Sequence, residues 1–277
     1  MTREGIELIG ANLELEKPFN GNVLGGTFSY FSKKNPTSER KNQDSIGLYS
    51  RDKKAIIIVA DGIGGHRMGD EASKIAVSTI INSCKKQENI SFIEIYNAIL
   101  QANKNIRSLN VGAGTTLCLG FIDDNLLTFI STGDSKGIHL SGKGNVKNQT
   151  VDQSSAGLAN LSELFSENDV SNKSGGNQLV FALGDETLQL TISSPIELNQ
   201  RDNVLIASDG LTANLSTSEI AQIITTGPVN ERVSKLVEQT DHKMTKISGH
   251  PDDLSIFLLS FGRSDSTEDP VEEAKKA

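Results

Sequence analysis

Two cysteines, Cys84 and Cys118, are all that 277 residues hold. They fall in a predicted helix and a predicted strand and show no metal-ligand spacing. A disulfide scaffold and a cysteine metal site are thereby excluded, and both read as buried thiols of a reducing compartment. No apolar run approaches the roughly 18–20 residues that a membrane-spanning helix needs. Residues 1–20 contain no apolar stretch of signal-peptide length. The expected location is the cytoplasm, with no membrane partner. Cations are in deficit, 27 Lys and Arg against 35 Asp and Glu, for a net charge of −8. An acidic chain of that kind is not expected to bind nucleic acid or anionic lipid nonspecifically. There is no internal repeat at periods of about 20–50 residues. Neither G-x-x-x-x-G-K-[ST] nor a G-x-G-x-x-G after a strand occurs, so a nucleotide-phosphate loop ranks far behind the reading developed below.

The chain is organised around Ala55-Ile56-Ile57-Ile58-Val59-Ala60-Asp61-Gly62-Ile63-Gly64-Gly65-His66. Six consecutive apolar residues, rich in β-branched types, predict a strand buried on both faces. It ends on a carboxylate followed by glycines that permit positive φ or close backbone approach. Asp-Gly is also a common turn signal, so this stretch alone leaves Asp61 open between a turn and a working residue.

Further strands are predicted at residues 6–9, 12–15, 23–31, 46–49, 115–122, 126–132, 138–140, 178–183, 188–193, 203–208 and 254–261. The 3.6-residue spacing of Ala72, Ile75, Ala76, Thr79 and Ile80 predicts one helix. Another is expected over 91–109, with Phe92, Tyr96, Ile99, Asn103 and Ile106 on one side. The capping box Ser216-Thr217-Ser218-Glu219 starts a third, and Pro228 in a first turn begins a fourth. Residues 148–177 are the least patterned, with a short helix at 158–165. A loop of that length reads as functional. Residues 1–262 are expected to form one domain, and the charged 263–277 a disordered tail. Strands joined by short turns, with two helix pairs inserted between them, predict an α+β sandwich.

Carboxylates recur at strand ends. Asp61 and Asp209 each follow an apolar strand and precede glycine; Asp134 follows residues 126–132; Asp252 precedes the last strand; Asp44 stands near the start of another. Any one reads as a turn residue. Five that converge would raise one another's pKa unless a cation sits among them. Hard divalent ions, Mg2+ or Mn2+, prefer such oxygen ligands and keep several waters.

Six short pieces stand in a telling order: Asn42-Gln43-Asp44-Ser45; Asp61-Gly62-Ile63-Gly64-Gly65-His66; Gly114-Thr115-Thr116; Gly133-Asp134-Ser135; Ser208-Asp209-Gly210-Leu211; and Pro251-Asp252-Asp253-Leu254-Ser255. Over about residues 40–260 the chain resembles the metal-dependent Ser/Thr protein phosphatase family (type 2C, PPM) in its compact bacterial form. The resemblance implies a four-layer αββα sandwich, two mainly antiparallel sheets flanked by helix pairs. It implies a phosphatase that removes phosphate from phosphoserine and phosphothreonine by in-line attack of a water held between two metal ions, Mg2+ or Mn2+, with a weaker third site. Asp61 would bridge the two ions, with the carbonyl of Gly62 on the second. Asp209 and Asp252 would hold the first, Asp44 would support the site, and Asp134 would belong to the third. His66 would be the general acid and Arg40 the phosphate grip, which suits a guanidinium. The partner implied is a phosphoprotein modified by a Ser/Thr kinase, met by a monomer.

Three positions depart from the family pattern. Arg40 lies one residue closer to the acidic motif than usual, with Glu39 in the usual place. Gln43 replaces an acidic residue. Asp253 replaces a common Asn, where its charge either tightens metal binding or faces solvent. Residues 150–177 correspond to a variable flap beside the site. The competing reading is a catalytically silent phosphatase-fold module that binds a partner protein. Retention of Asp61, Asp209 and Asp252 opposes it; the Arg40 offset favours it.

Overall fold

The computed structural model describes residues 5–63, 68–161 and 179–262. The tail expected at 263–277, the catalytic candidate His66 and most of the flap at 150–177 lie outside the described residues.

Among the described residues the strands form two sheets. One runs β1 (Ile6–Ala11), β4 (Asp44–Arg51), β5 (Lys54–Asp61), β6 (Leu117–Asp123), β7 (Leu126–Thr132). Two-residue strands β10 (Thr191–Ile192) and β11 (Ile196–Glu197) both pair with β7. The other runs β2 (Phe19–Val23), β3 (Gly26–Lys33), β13 (Leu254–Ser260), β12 (Asn203–Ala207), β8 (Lys136–Leu140), β9 (Val146–Gln149). Every strand pair is antiparallel. Helices α1 (Gly69–Lys85) and α2 (Phe92–Arg107) cover the first sheet. Helix α3 (Ser155–Leu161) is short, and α4 (Asp209–Thr212) is a single turn. Helices α5 (Thr217–Ile223) and α6 (Val229–Met244) cover the second sheet. Three apolar cores therefore separate four layers, the αββα sandwich that the resemblance implied.

The central strand shows why. Along β5, Ile56, Ile58 and Ala60 face Ala72, Ala76 and Ile80 of α1. Ala55, Ile57 and Val59 face the other sheet, with Val204, Ile206 and Phe257. Each fully buried Ile or Val contributes about 1.5–3 kcal/mol, so both faces are committed and the tip of β5 is held still. With apolar residues on both faces, alternation cannot set the register of β5 by itself. Hydrogen bonds at Asp61, described below, fix it instead.

Several expectations need correction. The strand expected at 23–31 is a hairpin, broken at Leu24 (φ 51) and Gly25 (φ 74). Residues 12–15 form no strand, since Asn12 turns the chain at φ 53. Of 178–183, Leu179 and Leu183 make only isolated bridges, and 188–193 shrinks to β10. Pro228 is the N-cap of α6 (φ −60, ψ 151) rather than a first-turn residue. On α2 the buried residues are Ile95, Ala98, Ile99, Ala102, Asn103 and Ile106, so Ile99, Asn103 and Ile106 lie on the expected side. Phe92 and Tyr96 do not: they stack on each other at the surface, ring centroids 6.5 Å apart. The aliphatic Ile95, Ala98 and Ala102 take the sheet-facing places instead. The capping boxes hold: Ser216 Oγ accepts from the Glu219 N–H and Glu219 Oε2 from the Ser216 N–H, and Ser91 with Glu94 repeats this on α2.

Candidate active site

The two sheets present their motif-bearing ends at one edge of the sandwich. Asp44 opens β4 and Asp61 closes β5, and the antiparallel register sets them directly opposite each other. Asp209 follows β12 as the first residue of α4, Asp252 lies just before β13, and Asp134 follows β7. Each acidic residue thus sits where a packed strand stops, which fixes its backbone without placing it on a loose loop.

The glycines after Asp61 and Asp209 have a steric reason. Neither Gly62 nor Gly210 has positive φ. A Cβ at Gly62 would lie 2.3 Å from the Gly69 carbonyl oxygen, and one at Gly210 would lie 1.9 Å from that of Asp253. Close backbone approach, not turn geometry, demands the Asp-Gly pairs. Gly62 is further held by its N–H donating to the Gln43 carbonyl at 3.2 Å.

The motif pieces bind one another. The Asp61 carbonyl accepts from the Thr116 N–H and the Thr115 hydroxyl, both at 2.8 Å. The Asp61 N–H donates to Thr116 Oγ1 at 3.0 Å, and that hydroxyl meets Ser135 Oγ at 2.6 Å. Asp61 and the Asp134 loop are in this way fixed through one buried threonine. Across the site, the Ser208 hydroxyl donates to Asp44 Oδ2 at 2.9 Å and accepts from the Ser255 N–H at 2.9 Å. Ser255 Oγ pairs with Ser32 Oγ at 2.8 Å, and Asn42 Nδ2 donates to the same Ser32. The Asn42 side-chain oxygen accepts from the Asp44 N–H at 2.9 Å.

The charges, by contrast, are left uncompensated. Among the described residues none of the five aspartates forms an ion pair with lysine, arginine or histidine. Burial pushes Asp44 up to about 8, with Asp253 and Asp252 adding to it and the Ser255 and Ser208 hydroxyls opposing. Asp61 is raised far above the carboxylate range by burial and then by Asp44, Asp209, Asp252 and Asp134. Burial and Asp209 lift Asp134 to about 8. Burial and Asp252 lift Asp209 to about 7, with a hydrogen bond to Asp61 working against them. Asp252 reaches solvent at the rim, yet the surrounding protein strips enough water to raise it too. These shifts have one origin, burial of neighbouring anions that find no cationic partner among the described residues.

Two oxygens stand out. Among the described residues Asp44 Oδ1 and Asp209 Oδ1 are buried and lack any hydrogen-bond partner, an arrangement that is costly for a charged group. Hard oxygen donors of this kind suit Mg2+ or Mn2+. Among the described residues no three ligand side chains close into a ready cage for one ion. Ions that keep several of their waters need no such cage. The residues present fit divalent metal.

The structure brings together Asp44, Asp61, Gly62, Asp134, Asp209 and Asp252 at this edge. Arg40 lies in the exposed loop between β3 and β4, its N–H donating to Ser38 Oγ at 3.1 Å. His66 is outside the described residues. Several contributors carried no predicted role. Thr115, Thr116, Ser135, Ser208 and Ser255 stand inside the quoted motifs, and their work is to hold the acids. Asp152, read only as loop, adds its charge to both Asp134 and Asp209. It lies in the loop that follows β9, where no periodic signal marks it. Asp253 does not face solvent: it is buried, both carboxylate oxygens accept from backbone N–H groups, and its charge adds to that on Asp44.

An αββα sandwich with unpaired acids at the ends of its central strands defines a metal-dependent phosphatase class. The protein phosphatase 2C family model matches residues 33–248, and the chain belongs to that family of metal-dependent protein Ser/Thr phosphatases. It is 29% identical over 233 residues to the serine/threonine phosphatase Stp of Listeria innocua, covering 79% of this chain and 89% of that one. The Mycobacterium tuberculosis serine/threonine phosphatase PstP/Ppp shares the fold with a TM-score of 0.73 at 21% identity, over 85% of this chain and 98% of that one. A PstP catalytic domain solved with two manganese ions superposes with a TM-score of 0.71, also at 21% identity, over 84% and 96% of the two chains.

Proposed function

We propose that Asp61, the Gly62 carbonyl, Asp209 and Asp252 hold two divalent cations, Mg2+ or Mn2+, with Asp44 supporting them and Asp134 contributing to a weaker third site. When bound, such ions would offset the phosphate charge and lower the pKa of a water. The single observation that carries this is the pair of buried, partnerless oxygens, Asp44 Oδ1 and Asp209 Oδ1, in a ring of acids with raised pKa. The chain's own groups do the rest. Thr115 and Thr116 fix Asp61, Ser208 orients Asp44, and Arg40 grips the substrate phosphate. His66 supplies the proton to the departing serine or threonine oxygen.

On this reading the substrate is a phosphoprotein, and the enzyme opposes a Ser/Thr kinase as a cytoplasmic monomer. The phosphatase names carried by relatives such as Stp support it. Among the described residues no helix is long and apolar enough to cross a membrane.

The test is hydrolysis of a phosphothreonine peptide with EDTA, Mg2+ or Mn2+, beside Asp209→Asn. Turnover that needs metal and disappears in the variant is expected. Absence of turnover under every metal, with ion binding intact by calorimetry, would establish the silent binding module.

A further inference from the structure

The carboxylate of Asp253 is engaged at both oxygens, while its charge still acts on Asp44. Its Oδ1 accepts from the Asn35 N–H at 2.6 Å and its Oδ2 from the Gln43 N–H at 2.7 Å. Those two amides lie at opposite ends of the loop that joins β3 to β4 and carries Arg40. One side chain therefore closes residues 35–43 into a ring. Asn35 reinforces the closure, its Nδ2 donating to the Pro251 carbonyl at 2.8 Å.

From that anchor a chain of hydrogen bonds runs toward Arg40. Asn35 Oδ1 accepts from both the N–H and the hydroxyl of Thr37 at 2.9 Å, and the Asn35 carbonyl accepts from the Ser38 N–H at 3.2 Å. Ser38 Oγ then accepts from the Arg40 N–H at 3.1 Å. At the other end, Gln43 is the residue before Asp44, and Asp253 is the residue after Asp252. The same carboxylate thus ties the Arg40 loop to two of the acids that line the site.

We propose that Asp253 is a positioning residue for substrate phosphate, its carboxylate clamping both ends of the 35–43 loop and so setting where Arg40 stands relative to Asp44 and Asp252. The proposal rests on the reading of Arg40 as the phosphate grip. In this chain each loop amide takes its own carboxylate oxygen. Asn offers one acceptor and one donor, so one of the two part-buried N–H groups would face an NH2 group and lose its partner. Free of the clamp, the loop samples more conformations, and the guanidinium is no longer held ready for the phosphate.

The experiment is a double-mutant cycle of Asp253→Asn and Arg40→Ala, read by KM and kcat on a phosphothreonine peptide, with Mn2+ affinity by calorimetry. Asp253→Asn is expected to raise KM about tenfold, with kcat at saturating Mn2+ within about threefold and Mn2+ affinity lowered by no more than about threefold through the charge lost beside Asp44 and Asp252. Added to Arg40→Ala, it should raise KM no further, because the group it positions is gone. Multiplying KM effects in the double variant, or a loss of Mn2+ affinity of about tenfold or more, would overturn the clamp while leaving the phosphate grip in place. An Arg40→Ala variant with unchanged KM would overturn the grip itself. Should Asp253→Asn fail to fold, Asn35→Ala loosens the same loop end without touching a carboxylate, and the same cycle decides.

Discussion

Strand β12 has an aspartate at each end, and the two live in opposite circumstances. Asp202 precedes it and Asp209 follows it. Asp202 is buried; Asp209 is half-buried, with its Oδ1 shut off from water. Asp202 Oδ2 accepts from Lys147 Nζ at 2.7 Å, His139 Nε2 at 2.8 Å and the Asn199 N–H at 2.9 Å. Burial works to raise its pKa, but Lys147, the Asn199 N–H and His139 outweigh that and hold it below the usual range. Asp209 has a partnerless oxygen and is pushed up to about 7. One acid is complete as it stands; the other has no cationic partner among the described residues. A carboxylate out of water is expensive in either place. At Asp202 the sequence provides the lysine and the histidine. At Asp209 the described residues provide neither, which is what the proposed cation would answer.

Exchanging acid for amide at each end breaks the comparison most sharply. Asp209→Asn should lower kcat by about a thousandfold or more, since a ligand charge opposite the reacting phosphate is lost. The metal-free variant should melt no lower than the parent, because an anion is removed from a crowded ring. Asp202→Asn should do the reverse. It strands Lys147 and His139 and costs about 3 kcal/mol of stability, as breaking a buried pair does, while kcat on folded protein stays within about twofold. Calorimetric melting beside peptide hydrolysis reads both. Comparable loss of activity from both variants would erase the distinction between the two ends.

The pH dependence of the metal-free protein sharpens it. Asp44 and Asp134 are raised to about 8 and Asp209 to about 7, against about 3.9 for an unfolded aspartate. Each binds its proton more tightly when folded, so its stabilisation is complete below about pH 4 and is lost as pH rises through 7–8. Asp202, with its pKa lowered, contributes stability that is present above the ordinary value and lost on acidification. His139, which burial holds below its usual range, acts in that same direction. The thermal midpoint in EDTA should therefore fall by about 10 °C between pH 5 and pH 8. Mn2+ at saturating concentration should remove most of that fall. The slope should be shallower in Asp209→Asn and unchanged in Asp202→Asn. A flat profile in EDTA would mean that the acids do not crowd one another.

How much of this could be read from the chain depended on what kind of force was at work. Residues 55–60 announced β5 because apolar burial on two faces leaves a continuous run. Asp44, Asp61, Asp134, Asp209 and Asp252 were legible because strand ends and ordered motifs point to them. The hairpin at Leu24-Gly25 was not, since a left-handed leucine has no composition signal. The contacts of Asp253 were not legible for a related reason. Its partners are the backbone amides of Asn35 and Gln43, and every residue but proline carries one. Asp152 likewise enters through a fold contact that no spacing encodes. Asp209 stands out by the motif around it, but that Asp202 is satisfied shows only in the positions of His139 and Lys147 in β8 and β9.

The smallest expected effect tests the structural acid at its least buried partner. Lys147 is partly exposed, its side chain at 32% accessibility against 3% for that of Asp202. Lys147→Met keeps the stem that packs along β9 and removes the charge. Water can reach the vacated place, so the loss should be only about 1 kcal/mol, a shift of about 2–4 °C in the midpoint. Burial holds the His139 pKa below its usual value, and loss of the Lys147 charge relaxes part of that; its Nε2 stays paired with Asp202, and its Nδ1 has no partner among the described residues. The released carboxyl should then titrate higher, and acid should unfold the variant at a higher pH than the parent. KM, kcat and Mn2+ affinity should not move, because the whole length of β12 separates this end from the ring of unpaired acids. A change in Mn2+ affinity would show that the two ends of the strand are coupled, and that the completed acid helps to hold the incomplete one in place.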